Sequence, residues 1–304
     1  LNILQREETL TLADEGLDAT LKRIKMIIHK VLPAHGAPAT GIGISAPGPL
    51  NPKTGVVVSP PNLPGWHNVP LGDILYDEFK IPVFVGNDAN VAALAETARG
   101  AALGCHHVVF LTISTGIGSG MIVDGRMLLG SEGLGAEAGH IVMIAEEGKV
   151  STLEKEAAGP ALARQAKARI EQGEVSLIKE LVQGDLSRIA GSTVGEAAAK
   201  GDKLALEVVR RAGTIVGLGI VSLLHLFNPE IVVIGGGVSK LGDLLFAPMR
   251  EAIQRYAIDA AYWQNLRIER AALGEDVSIV GAAALVITQG GQANVREVVR
   301  KLDI

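Results

Sequence analysis

Two glycine-punctuated segments constrain this chain most: Thr112-Ile113-Ser114-Thr115-Gly116-Ile117-Gly118-Ser119-Gly120 and Ile231-Val232-Val233-Ile234-Gly235-Gly236-Gly237-Val238. Each follows a β-branched apolar run, so each reads as the end of a buried strand where backbone N–H groups can turn toward an anion. Between them lies Gly135-Ala136-Glu137-Ala138-Gly139-His140, and before them Gly86-Asn87-Asp88-Ala89-Asn90. Phosphate-type turns and convergent carboxylates thus alternate along one chain, an ordering that suits a nucleotide-dependent enzyme acting on a polyhydroxylated small molecule.

Composition removes several alternatives. With 304 residues, 48% hydrophobic and 20% charged, the chain can bury two domains of ordinary size. A formal charge of -5 argues against a broad basic face, so nucleic acid is not an expected partner. No apolar run reaches the roughly 18 to 20 residues that span a bilayer, and no basic segment followed by an apolar one opens the chain. A cytoplasmic location without membrane contact is therefore expected. Cys105 is the single cysteine; it cannot form an intrachain disulfide or a multi-thiolate site, and its apolar neighbours mark it as a small core residue.

Periodicity gives the organisation. Leu17, Leu21, Ile24, Ile28 and Val31 form one helical face ending before Pro33. Thr40 to Ser45, Gly55 to Ser59, Pro82 to Gly86, His107 to Ile113 and 230–234 read as strands, and Asn87 can cap the Ala-rich helix that follows. Asp124-Gly125 between apolar runs predicts a type I′ hairpin. Helical patterns run over about 153–171, 203–211 and 212–227, with a further helix from Leu241. Strands alternating with helices predict a sheet with parallel pairs, covered on both faces. The change in composition near residue 113 separates a small α/β domain, 1–112, from a large one, 113–287, with 288–304 expected to pack back on the small domain.

The polar groups in these motifs each allow two readings. Nothing matches the Walker A pattern, so phosphate must be held by a nest such as Ser114-Thr115-Gly116, which could equally be a bare tight turn. Gly235-Gly236-Gly237 could lie against a flat adenine or ribose, or simply make a close turn. Asp88 at a helix start should be ionised and could accept a hydroxyl proton; helix capping alone would also explain Asn87 and Asp88. Glu137 and His140 can hydrogen-bond adjacent sugar hydroxyls, or His140 can be a buried histidine satisfied by Glu137. Glu154 suits a first helical turn on dipole grounds.

Taken together, Ala46-Pro47-Gly48-Pro49, Asn62-Leu63-Pro64-Gly65-Trp66, Asn87-Asp88-Ala89-Asn90, Ser114-Thr115-Gly116-Ile117-Gly118, Glu137-Ala138-Gly139-His140, Asn228-Pro229-Glu230 through Gly235-Gly236-Gly237-Val238, and Val280-Gly281-Ala282-Ala283 stand in an order that resembles the ROK family of repressors, open reading frames and kinases, over nearly the whole chain. The likeness is greatest to its bacterial glucokinases. It implies an actin-like ATPase (ribonuclease H-like) fold whose two α/β domains flank a nucleotide and sugar cleft, and an ATP- and Mg2+-dependent kinase for the 6-hydroxyl of a hexose, glucose being preferred. By the same resemblance Asp88 is the catalytic base, Asn87, Glu137, His140 and Glu154 hold the sugar with Gly48 and Asn62, Thr115 and Gly116 face the ATP phosphates, and Gly236 and Gly237 lie near the nucleoside. A homodimer or homotetramer is also implied. The alternative within the family is a sugar-sensing repressor with a DNA-binding part ahead of this sequence.

Two departures from the family pattern stand out. The chain begins Leu1-Asn2-Ile3-Leu4, resembling the segment just after a D-x-G-G-T phosphate turn, so a trimmed sequence is expected. The family's C-x-C-G-x-x-G-C-x-E zinc loop corresponds here to the shorter stretch from Ala145 to Glu154, with Thr152 where the last cysteine would stand. Structural zinc is therefore not expected. Purified protein should contain no stoichiometric zinc by elemental analysis, and a chelator should leave its melting temperature unchanged without Mg2+ and ATP; near-stoichiometric zinc would contradict this.

Overall fold

A computed structural model describes residues 1–146 and 149–302. The chain divides into two compact units, one of Leu1–Val108, Gly120–Ala136 and Ala272–Ile304, the other of Val109–Ser119 and Glu137–Ala271.

In the first unit the strands Ile42–Ala46 and Val83–Asn87 pair in parallel, with Ile42 opposite Val83 and Ala46 opposite Asn87. Their β-branched residues meet the core formed by Leu50, Val57, Trp66, Val69, Leu71 and Leu75, against which Leu17, Leu21, Ile24 and Ile28 of the predicted helical face pack, while Val31 at the end of the helix Leu17–Val31 is exposed. The stretch read as one strand from Gly55 to Ser59 is only Val56–Val57, the middle of a small antiparallel sheet with Leu50–Asn51 and Val69–Pro70. The hairpin at Asp124-Gly125 forms as predicted: both residues have positive φ, 50° and 72°, and Ile122 pairs antiparallel with Met127.

Asp88–Arg99 is the central helix of this unit. Every residue from Ala89 to Ala98 is buried, because its alanines let neighbours approach on several sides. The helix Val277–Ile287 comes so close that a Cβ on Gly281 would lie 2.2 Å from the Val91 carbonyl oxygen. At the far end, the fully buried Glu96 carboxylate accepts backbone N–H groups from Ala101 at 2.8 Å, Ala272 at 2.9 Å and Leu273 at 3.1 Å. A carboxylate so placed needs these donors to offset lost hydration.

The second unit carries neighbouring strands in the order Arg267–Arg270, Ile231–Gly235, Val108–Ile113 and Ile117–Val123, the last running on past Gly120 into the hairpin of the first unit. Ile231–Gly235 is buried at all five positions and runs parallel to Arg267–Arg270. The helical pattern over 153–171 is two helices, Leu153–Ala157 and Gly159–Glu171, because Ala158 is extended and Pro160 favours a fresh helix start. The patterns at 203–211 and 212–227 are instead one helix, Lys203–Phe227. Leu241 ends a short 3₁₀ turn, and the helix expected from it is Asp243–Tyr256. Cys105 is buried. Among the described residues no helix is long and apolar enough to cross a membrane.

Adding a methyl group at Gly281 presses on backbone rather than on a flexible side chain. Gly281→Ala should therefore lower stability by about 1–3 kcal/mol, the usual cost of overpacking, read as a lower denaturation midpoint at unchanged m-value.

Candidate active site

Asn87 ends the strand Val83–Asn87 and caps the following helix, its side-chain oxygen accepting the Ala89 N–H at 3.0 Å. The capping reading is therefore correct, but it uses only the oxygen. A Cβ on Gly48 would lie 2.7 Å from Asn87 Nδ2, so the carboxamide nitrogen rests against the backbone at Gly48 and the two predicted sugar-site residues meet. Asp88 Oδ1 shares the same Ala89 N–H at 2.8 Å. These helix-start donors lower the Asp88 pKa as anticipated, but desolvation of its carboxyl outweighs them, and the net direction is upward from the ordinary aspartate value. A base with a raised pKa holds a proton more strongly once it has taken it. Asn62 lies exposed on the turn between Pro60 and Trp66.

The second unit gathers another group. Glu154 follows Thr152, whose hydroxyl caps the short helix Leu153–Ala157 by accepting the Lys155 N–H. The Glu154 Oε2 accepts the Ile117 N–H at 2.8 Å, and a Cβ on Gly116 would lie 2.5 Å from the same oxygen. Gly116 thus gives room to a carboxylate, a role its place in a phosphate-type turn does not suggest. The 3₁₀ turn Ala138–His140 closes on the same strand: a Cβ on Gly139 would fall 2.0 Å from the Ile117 carbonyl oxygen, and the buried Ser119 hydroxyl accepts the Ala138 N–H at 2.7 Å. The Leu153 N–H reaches the Ile141 carbonyl at 2.9 Å, tying the Glu154 helix to the chain just after His140. Glu137 and His140 are both exposed, which removes the reading of His140 as a buried histidine. Ser119 was not singled out in the sequence; a serine inside an apolar strand was its only signal.

A cavity of about 850 Å3 opens beside these elements within the same unit. Ser114, Thr115 and Gly237 line it, together with the starts of two helices at Gly159-Pro160 and Gly191-Ser192, the apolar Ile189, Val238, Leu241 and Leu244, and Lys240. The Gly159 N–H donates to the Ser114 carbonyl at 2.8 Å, which seats the first helix start against the turn. The two predicted nucleoside glycines separate here. Gly236 has φ 82°, and a Cβ on it would meet the Ile113 carbonyl oxygen at 2.3 Å, so backbone packing accounts for it; Gly237 has open space at its Cβ position and faces the cavity. Helix starts, hydroxyls and a lysine beside apolar walls suit a group that is anionic at one end and flat at the other.

Of the shortened loop after His140, Glu147 and Gly148 lie outside the described residues. Its flanks form the antiparallel pair Val142–Glu146 and Lys149–Thr152. Among the described residues no group of three or more His, Cys, Asp or Glu converges as a metal site.

The ROK family model matches residues 1–289. A glucokinase of Thermotoga maritima is 36% identical over 289 residues, covering 93% of this chain and 90% of that protein. The crystal structure of a Streptomyces griseus ROK glucokinase in complex with glucose and AMPPNP superposes with a TM-score of 0.72 at 31% identity, covering 89% of this chain and 88% of that one. Repressors are relatives too: a xylose repressor of Caldicellulosiruptor bescii is 31% identical, covering 82% of this chain and 62% of the repressor. With turns, carboxylates and cavity in the places described, these likenesses make the chain a member of the ROK family, with the actin-like ATPase fold of two α/β domains and a place among its sugar kinases.

Proposed function

We propose that the chain transfers the γ-phosphoryl group of ATP to the 6-hydroxyl of a hexose, with glucose the preferred substrate. The observation that carries this reading is Asp88, a carboxylate at the start of the central helix directly after Asn87, whose side chain meets the backbone at Gly48. A sugar sensor needs affinity for its ligand but no base. Support for the nucleotide comes from the 850 Å3 cavity, where Thr115 and Ser114 suit the phosphates and Gly237 the nucleoside. The S. griseus relative was crystallised with glucose and an ATP analogue.

In this mechanism Asn87, Glu137, His140 and Glu154, with Gly48 and Asn62, orient the sugar hydroxyls, and Asp88 Oδ accepts the 6-hydroxyl proton as the O–P bond forms. Gly116 supports Glu154 by leaving room for its carboxylate, and Gly236 supports the cavity wall by its close approach to Ile113. Phosphoryl transfer requires little covalent help, so positioning and charge neutralisation do most of the work. Mg2+, when bound with ATP, would supply charge neutralisation on the phosphate oxygens. The proposed assembly is a cytoplasmic homodimer or homotetramer.

A second reading, a sugar-responsive repressor, is supported by the xylose repressor relative. Phosphorylation of glucose by purified protein supplied with Mg2+ and ATP separates the two: turnover establishes the kinase, and glucose binding without turnover favours the sensor.

Asp88→Asn should keep glucose affinity within a few-fold while lowering kcat by roughly 10² to 10⁴, the contribution of a general base. Near-normal turnover in that variant would take Asp88 out of the mechanism. In the parent enzyme, the acid limb of the kcat/KM profile should lie above the ordinary aspartate pKa, because the base must be ionised and burial raises it. His140→Ala should weaken glucose binding more than ATP binding, by about 1–3 kcal/mol for the lost hydrogen bond; calorimetric titration with each ligand separately gives the ranking.

A further inference from the structure

Two residues beyond Glu154, the same short helix carries a second carboxylate directed elsewhere. Glu156 is buried, only 9% exposed. Its Oε1 accepts the Ser151 hydroxyl at 2.5 Å, and its Oε2 pairs with the Arg211 guanidinium. The Glu156 carbonyl oxygen in turn accepts Arg211 Nη1 at 3.3 Å and Gln165 Nε2 at 3.1 Å. One residue therefore joins the hairpin strand Lys149–Thr152, the helix Leu153–Ala157, the helix Gly159–Glu171 and the long helix Lys203–Phe227.

A five-residue helix has too few internal hydrogen bonds to fix its own direction. Besides the packing of its fully buried Leu153 and Ala157, two polar attachments hold it: the Leu153 N–H to Ile141 on one side and the Glu156 cluster on the other. Glu154 lies between those two anchors, and its Oε2 meets the Ile117 N–H only if the helix is held at that angle. The fork of Arg211 matters here, because it holds a side-chain and a main-chain oxygen of Glu156 at once, which a single ammonium cannot do in the same geometry.

We propose that Arg211 and Glu156, with Ser151 closing the cluster, are positioning residues for Glu154: they set hexose affinity without touching the sugar. This rests on the reading of Glu154 as a sugar ligand.

The test uses the full chain, with glucose as the probe, and measures Kd by calorimetry together with kcat, the ATP KM and the melting temperature. Arg211→Met should raise the glucose Kd roughly tenfold, the size typical when an outer partner of a binding group is lost, while the ATP KM stays within about twofold. Arg211→Lys should fall between parent and Met, since it restores charge without the fork. Glu156→Gln and Ser151→Ala are the milder changes; they should move glucose Kd in the same direction and keep the proposal testable if Arg211→Met fails to fold. Lower melting temperatures with unchanged glucose Kd in the folded variants would overturn the proposal and leave the cluster a purely structural brace. Glu154→Gln is run beside them. If it raises the glucose Kd and the cluster variants do not, only the positioning role falls; if it leaves the Kd unchanged, the sugar-site reading falls and the positioning role with it.

Discussion

Burial of the helix Asp88–Arg99 from Ala89 to Ala98 is the constraint from which the first unit follows. Solvent reaches the helix only at Asp88 and Arg99, and protein groups meet polar atoms near both ends. At the start, the side chains of Asn87 and Asp88 share the Ala89 N–H; at the end, the Glu96 carboxylate collects donors from the turn after the helix and from Ala272 and Leu273. Alanine in the middle and Gly281 opposite Val91 follow from the same demand for close approach. The proposed base therefore sits at the start of a helix that is buried from Ala89 to Ala98.

In the second unit the polar groups are arranged around the start of one strand. Ile117 offers its N–H to Glu154 and its carbonyl side to the close approach of Gly139, so a single residue fixes the distance between the carboxylate and the turn that ends at His140. Ser119, two residues on, holds the same turn by the Ala138 N–H. A carboxylate with one oxygen held by backbone keeps a defined orientation toward any hydroxyl that approaches it. Preorganisation of this kind reduces the conformational cost of binding.

The strands and the hairpin were legible because their signals are local. A β-branched run closed by glycine, or Asp-Gly between apolar residues, states its conformation within a few positions. The helix boundaries were less so: apolar spacing continues through 153–171, and only the extended Ala158 ahead of Gly159-Pro160 divides it. The hairpin of Val142–Glu146 with Lys149–Thr152 has no such local signal, because Val142-Met143-Ile144-Ala145 is a continuous apolar run without two-residue alternation. The resemblance identified the polar residues, yet could not say what each glycine accommodates. Gly116 faces a carboxylate, Gly236 a carbonyl and Gly237 the open cavity, and those distinctions depend on residues far away in sequence. The cavity-lining Gly159 and Gly191 were invisible for the same reason.

Glu96 also bears on how the chain comes to be folded. Its donors at Ala272 and Leu273 are translated only after all of Val109–Ser119 and Glu137–Ala271, the whole of the second unit, has been synthesised. Until then the helix carrying Asp88 has a carboxylate short of partners and, without Gly281 and its neighbours, an apolar face with nothing packed on it. The unit that begins first along the chain is thus completed last. For a nascent polypeptide, the interval between those two events is when a chaperone would find the most to hold.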